Sequence, residues 1–233
     1  MRTRGPRRRL AAVALAIAAF VVFPGSSLAG TTPDPVLLIH GWRSDASAWA
    51  VMVQRFADLD GRTVVALTLP GNDNIVNGRY IRDQVAALKA DDPAWAHLDI
   101  VGVSMGGLSA RYYIKSLKGT ARVEAYASLG TPQYGIWPAC VLFQSAGGQM
   151  CPTSSFLSAL NRGDDTPGSV RYMTLWGTSD TTVPQSATRL DGGACYATVP
   201  NVVHTAYEED VNVFEAVVQA IDGGDGWCPG TFK

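Results

Sequence analysis

The sequence predicts an α/β fold, a minimal and mostly parallel sheet of about six strands with helices on both faces. Three observations point there. Short unbroken apolar runs recur along the chain, and such runs suit strands covered on both sides, as in a parallel sheet. Helix-like stretches alternate with them, so the order is strand then helix, repeated. Hydrophobic residues make up 47% of the 233 positions, enough to bury a sizeable core, and this length predicts one folded domain.

The elements follow in order. Val36-Leu37-Leu38-Ile39 is the first apolar run, and Ala46 to Phe56 is helix-like. Thr63 to Leu67 is the second run. The helix expected over Asn77 to Lys89 carries Ile81, Val85 and Leu88 on one face. Leu98 to Val103 is the third run, followed by a helix from Met105 to Lys115, and Val123 to Leu129 is the fourth. Arg171 to Trp176 and Tyr196 to Val199 are the fifth and sixth. A last helix is expected from Glu208 to Ile221, with Val211, Phe214, Val217, Val218 and Ile221 as its buried stripe. Glu208, Glu209 and Asp210 would then sit where the helix dipole favours negative charge. Between Pro132 and Pro167 the alternation breaks; this stretch is rich in Gly, Ser and Pro and reads as an insertion or lid-like covering loop over 132–167.

The first 29 residues stand apart. Met1 to Arg9 holds five arginines and no acid, Leu10 to Phe23 is an unbroken apolar run, and Ser27-Leu28-Ala29 offers a small-x-small cleavage site. This is the pattern of a cleaved secretory signal over 1–29, too short to span a bilayer stably. Arg7-Arg8-Arg9-Leu10 fits either the general or the twin-arginine exporter. The expected mature domain is 30–233, secreted and without a stable membrane span. It keeps 14 basic against 20 acidic residues, a formal charge of −6. That balance argues against nucleic acid as a partner class, because phosphate binding needs a basic face.

Four cysteines, Cys140, Cys151, Cys195 and Cys228, lie in the mature part. An even count in an exported chain reads as disulfides, and four cysteines allow three pairings. Nearest partners in sequence favour Cys140 with Cys151 and Cys195 with Cys228. No close C-x-x-C spacing speaks for metal.

The stretch Ile100-Val101-Gly102-Val103-Ser104-Met105-Gly106-Gly107-Leu108 carries the chemistry. A strand ending at Val103 must turn sharply into a helix starting near Met105, with Ser104 at the apex. Side chains at Gly102 or Gly106 would crowd that turn. The hydroxyl is thereby pushed out at the C-terminal edge of the sheet, where ligands of open parallel sheets bind. The Met105 N–H, at a helix N-terminus, faces the same spot and can donate to a developing oxyanion.

A serine hydroxyl needs a base at neutral pH, and the chain offers three histidines. His97 lies seven residues before Ser104 on the same strand, roughly 20 Å away in extended chain. His40 ends the first strand but precedes Gly41-Trp42, whereas the base in this chain order comes last. His204, beyond the last strand, is the candidate base. Asp180, in the loop after the fifth strand, is the candidate acid that orients it. Asp164 and Asp165 precede that strand and lie at its wrong end, while Asp191 remains an alternative. The second oxyanion donor is expected from the loop after the first strand, as the N–H of Trp42, with Gly41 allowing close approach and His40 holding the loop by hydrogen bonds.

The set LLIHGW, IVGVSMGGL, ASLGTPQYG, LWGTSDTTVP and VVHTAY resembles the α/β-hydrolase superfamily, and within it the small secreted bacterial lipases and carboxylesterases. The matching stretches run from about Val36 to Ile221. The resemblance implies an α/β-hydrolase fold, with Ser104 as nucleophile, Asp180 as acid and His204 as base. It implies an oxyanion hole at Trp42 and Met105, and hydrolysis of carboxylic esters without a cofactor. Some lipase branches carry a structural calcium, but the sequence shows no matching acidic cluster, so no metal is expected. The expected partner is a lipid acyl ester, with a possible oil–water interface, or a short soluble ester; an amidase or peptidase is the further alternative. Trp42 and Trp49, with Ile136, Trp137, Val141, Leu142 and Phe143 of the insertion, are candidates to line an acyl pocket or touch lipid.

Overall fold

The structure, a computed structural model, describes residues 33–223 and Cys228. The expected signal over 1–29 and its cleavage site lie outside the described residues.

The strands are β1 (Val36–Ile39), β2 (Val64–Leu67), β3 (Leu98–Val103), β4 (Val123–Leu129), β5 (Arg171–Gly177) and β6 (Cys195–Val199). They form one sheet in the order β2-β1-β3-β4-β5-β6, and every pairing is parallel. The helices are α1 (Ala50–Leu59), α2 (Asn74–Asp91), α3 (Met105–Ser116), α4 (Ser155–Leu160), α5 (Gln185–Thr188) and α6 (Val211–Asp222). The runs anticipated as strands are strands, each within a residue of its expected bounds.

Strand alternation divides the core in two. Leu37 and Ile39 point into one apolar cluster with Ile81, Val85, Leu108 and Ile114, so α2 and α3 cover that face. Val36 and Leu38 point into the other, with Met52, Phe56, Val213 and Val217, so α1 and α6 cover the opposite face. Phe56 and Phe214 meet edge to face across those two helices, 4.9 Å between centroids. Trp49 is fully buried in this second cluster. It is a core residue and does not border the cleft over Ser104, a correction to its expected lining role.

Caps set the helix starts. Asp73 accepts hydrogen bonds from the N–H groups of Ile75 and Val76, so α2 begins one turn earlier than its apolar spacing suggests. Asp210 accepts from Asn212 and Val213 and starts α6 at Val211. The preceding stretch turns instead as a short 3-10 helix over His204–Ala206. Glu208 and Glu209 therefore lie outside the helix, and the dipole argument applies to neither.

The insertion holds three 3-10 turns and the six-residue α4. Its second part is core: Met150, Phe156, Leu157 and Leu160 are buried in the first cluster. In its first part Trp137, Val141 and Phe143 face water, while Ala139 is buried in the first cluster. Cys140 is bonded to Cys151 within the insertion, and Cys195 to Cys228 joins β6 to the chain after α6.

The register aligns the strand ends. Ile39 pairs with Gly102, Val103 with Leu129, Leu129 with Leu175 and Gly177 with Val199. The loops after β1, β3, β5 and β6 thus open on one rim of the sheet.

Candidate active site

Ser104 sits on that rim between β3 and α3 with φ 52° and ψ −125°. This positive φ is strained for a residue with a side chain. The glycines explain how it is tolerated. A Cβ on Gly102 would lie 2.7 Å from the Cα of Gly107, and one on Gly106 would strike the carbonyls of Ile39 and His40. Gly106 thus lets α3 start hard against the end of β1, a contact beyond the turn itself. Since α3 has no side-chain cap, its first N–H groups, Met105 among them, have no partner within the helix.

His204 and Asp180 converge on the serine from β6 and β5. His204 Nε2 lies 3.0 Å from Ser104 Oγ, and His204 Nδ1 lies 2.8 Å from Asp180 Oδ2. With Nδ1–H donating to the carboxylate, Nε2 is left to accept from the hydroxyl. Asp180 is buried, and its other oxygen accepts from the N–H groups of Thr182 and Val183, each at 2.9 Å. Burial alone would raise this carboxyl. The hydrogen bond from His204, the Val183 and Thr182 amides and the His204 charge outweigh it and hold the group below the usual carboxylate range.

Sequence reasoning missed one member of this cluster. The hydroxyl of buried Tyr207 donates to Asp180 Oδ2 at 3.0 Å and accepts from the Gly177 N–H at 2.8 Å. Its ring meets the His204 ring edge-on, 5.9 Å between centroids. Burial keeps the phenol protonated, its pKa well above the ordinary value. The available signal was spacing: Tyr207 follows His204 by three residues, one turn of 3-10 helix. Gly130, with φ 52°, makes room for the group, because a Cβ there would meet the Tyr207 ring and Asp180 Oδ2.

The rejected candidates sit elsewhere. His97 is exposed ahead of β3. Asp165 is buried in an ion pair with Arg111 and Lys115. Exposed Asp191 receives no bond from His204; its N–H donates to the Tyr134 hydroxyl. His40 is buried and holds the first loop: its Nε2 accepts from the Leu69 N–H at 2.9 Å, so Nδ1 donates to the Gly41 carbonyl at 2.7 Å. Burial lowers its pKa, in keeping with a neutral ring.

A cleft of about 350 Å³ opens over Ser104, bordered by Gly41, Trp42, Ile136, Met150, His204 and Glu208. Burial raises the pKa of Glu208. The Trp42 indole N–H donates to the Ala146 carbonyl at 2.9 Å, fastening the loop after β1 to the insertion. Gln149 fastens the insertion again, accepting from the Asn74 N–H and donating to Asp73. Among the described residues no group of three or more His, Cys, Asp or Glu side chains is placed to hold a metal ion.

A profile of the alpha/beta hydrolase family matches residues 36–227. The chain belongs to the alpha/beta hydrolase family. Solved structures share this hydrolase's fold at low identity. Lipase B from Aspergillus fumigatus superimposes with a TM-score of 0.69 at 16% identity, covering 82% of this chain and 52% of that one. The mature lipase BlEst2 from Bacillus licheniformis gives 0.67 at 18%, covering 80% and 91%. A thermophilic esterase from Thermogutta terrifontis gives 0.58 at 17%, covering 82% and 90%. The chain spans about half the length of the Aspergillus lipase and of the propeptide form of the Bacillus lipase. No curated protein sequence matches this hydrolase at a significant level.

Proposed function

We propose that this hydrolase is a secreted serine esterase that cleaves carboxylic esters, lipid acyl esters foremost, through an acyl-enzyme. The observation that carries the reading is the unbroken hydrogen-bond chain from Ser104 through His204 to Asp180. Ser104 Oγ attacks the ester carbonyl carbon while its proton passes to His204 Nε2. The amides of Met105 and Trp42 hold the oxyanion, and losing one such donor costs about 3 kcal/mol of barrier in related chemistry. The alcohol leaves with the proton from Nε2. Water then attacks the acyl-serine by the same route, freeing the acid and the serine.

Two disulfides fit an oxidising, extracellular setting. No helix among the described residues is long and apolar enough to cross a membrane. A lipid substrate is favoured by the first part of the insertion, where Trp137, Val141 and Phe143 stand 69%, 89% and 85% exposed on the stapled loop. Large apolar side chains exposed along one short segment suit an apolar partner, here an oil–water interface. The second reading is a carboxylesterase on short soluble esters. The small cleft favours it, with Ser44, Thr182, Thr205 and Glu209 on its border.

The test is hydrolysis of an ester chain-length series by the wild type and Ser104→Ala. Turnover is expected to vanish in the variant with the fold intact; turnover retained in a pure sample ends the proposal. Preference for long chains with a rate jump at the solubility limit supports the lipase, and activity confined to chains below about six carbons supports the carboxylesterase.

A further inference from the structure

Beside the reactive cleft runs a second, larger groove of about 520 Å³, between the start of the insertion and the loop that follows Asp180. We propose that this groove is a subsite for the apolar chain of the ester whose carbonyl is attacked at Ser104. The proposal rests on the ester-hydrolase reading and adds to it where the chain lies.

Continuity is the first argument. Ile136 and Thr182 border both the cleft and the groove, so the two spaces adjoin on either side of these residues. The cleft alone, about 350 Å³, lies at the small end of ligand pockets. A substrate longer than the cleft must leave it, and the groove is the adjoining space. The second argument is chemical. Ile136, Trp137, Pro138, Pro152, Pro184 and Ala187 supply apolar wall, and the side-chain polar groups of the lining are hydroxyls and the Trp137 indole N–H. No charged side chain lines the groove, whereas Glu208 and Glu209 border the cleft. An ionic headgroup would find no counter-charge there; an alkyl chain loses nothing.

The third argument is that the walls are already fixed. The Tyr134 N–H donates to the Ala187 carbonyl at 3.3 Å, tying one wall to the other. The Ile136 N–H donates to the Met150 carbonyl at 2.8 Å, next to the Cys140–Cys151 bond. Gly135, with φ 87°, allows this approach, since a Cβ there would lie 2.7 Å from the Pro152 nitrogen. On the other side, Thr182 and Val183 are held by Asp180 Oδ1. A preformed groove loses little entropy when it binds a chain.

Ser186, on α5, lines the groove, is exposed, and does not border the reactive cleft. Ser186→Trp fills the groove, and Ser186→Ala controls for loss of the hydroxyl. Two ester series are compared, one varying the acyl chain and one varying the alcohol. In the wild type and Ser186→Ala, kcat/KM is expected to rise at least tenfold from butyl to decyl in one series, which identifies the chain held. In Ser186→Trp that rise is lost while turnover of the shortest ester stays within twofold. A rise that survives Ser186→Trp, or no rise in either series, overturns the proposal. A second readout is independent of turnover. Butyl and decyl methyl ketones are titrated against Ser104→Ala by tryptophan fluorescence. The decyl ketone is expected to bind at least tenfold tighter, an advantage absent from Ser104→Ala/Ser186→Trp; equal binding of both ketones to Ser104→Ala removes the subsite. If esters are not hydrolysed at all, the function proposed above fails, and the ketone titration still decides the groove.

Discussion

Two carboxylates are buried at opposite ends of the sheet, and they behave in opposite ways. Asp180, on the rim that carries Ser104, is 5% exposed and its oxygens accept from His204, Tyr207, Thr182 and Val183. It is held below the usual carboxylate range despite its burial. Asp99, at the start of β3 on the far rim, is 2% exposed, and its Oδ1 has no hydrogen-bond partner. Burial and the nearby Asp34 charge push it up to about 8, against the lowering effect of Arg171, Arg62 and the Ala125 amide. Burial raises both, so it is not what separates them. The number of donors aimed at the oxygens decides whether a buried carboxyl is an anion that can orient an imidazole or an acid that stays neutral.

The largest effect is expected from removing the anion at the reactive rim. Asp180→Asn should lower kcat/KM for esters by about 10⁴-fold, as loss of the carboxylate does in other serine–histidine–aspartate sites. Steady-state kinetics on a soluble ester measure it, and retention of a tenth of the activity would show that the carboxylate is not needed.

The far rim predicts a pH effect on stability of the opposite sign to that of a paired carboxylate. Between pH of about 4 and about 8 folded Asp99 keeps a proton that the unfolded chain has lost. Folded protein then binds more protons than unfolded, so this group's contribution falls as pH rises through that window and levels off above it. The change is on the order of a few kcal/mol. Asp99→Asn, which cannot ionise, should flatten that slope and gain relative to wild type between pH 5 and pH 8. Urea midpoints at the two pH values check this; parallel shifts in both proteins would mean that Asp99 is ionised when folded.

The smallest effect separates one donor from the rest. Tyr207→Phe keeps the ring against His204 and removes the hydroxyl that donates to Asp180 Oδ2 and accepts from the Gly177 N–H. With one donor fewer, the carboxylate holds the imidazolium more firmly. The acidic limb of the kcat/KM profile should move to higher pH, with a loss of roughly tenfold or less at the optimum. An unmoved limb would leave Tyr207 as packing.

Much of this comparison was legible in the chain. Unbroken runs such as Val36–Ile39 read as strands because both faces of the sheet are covered. Chain order and the small number of histidines led to the pair His204 and Asp180, and the structure brings both to Ser104. Other features were not legible, for physical reasons. Trp49 resembled a pocket residue because burial depends on α1 packing under β1, which composition does not reveal. The start of α6 was misjudged because three acids in a row hide which one caps; only Asp210 aims its carboxylate at free amides. Tyr207 was missed because its meaning lies in a hydroxyl direction set by Gly130 and Gly177. The insertion divided into core and exposed halves through contacts of Gln149 and Trp42 that lie far away in sequence.

The central claim is that the convergence of His204 and Asp180 makes the Ser104 hydroxyl a nucleophile. Its most direct measurement is covalent trapping with an alkyl fluorophosphonate, followed by peptide mass spectrometry of wild type and His204→Ala. The account predicts one adduct, on Ser104 of the wild type, and its near-complete loss in the variant. An adduct on another residue, or equal labelling of both proteins, would contradict it.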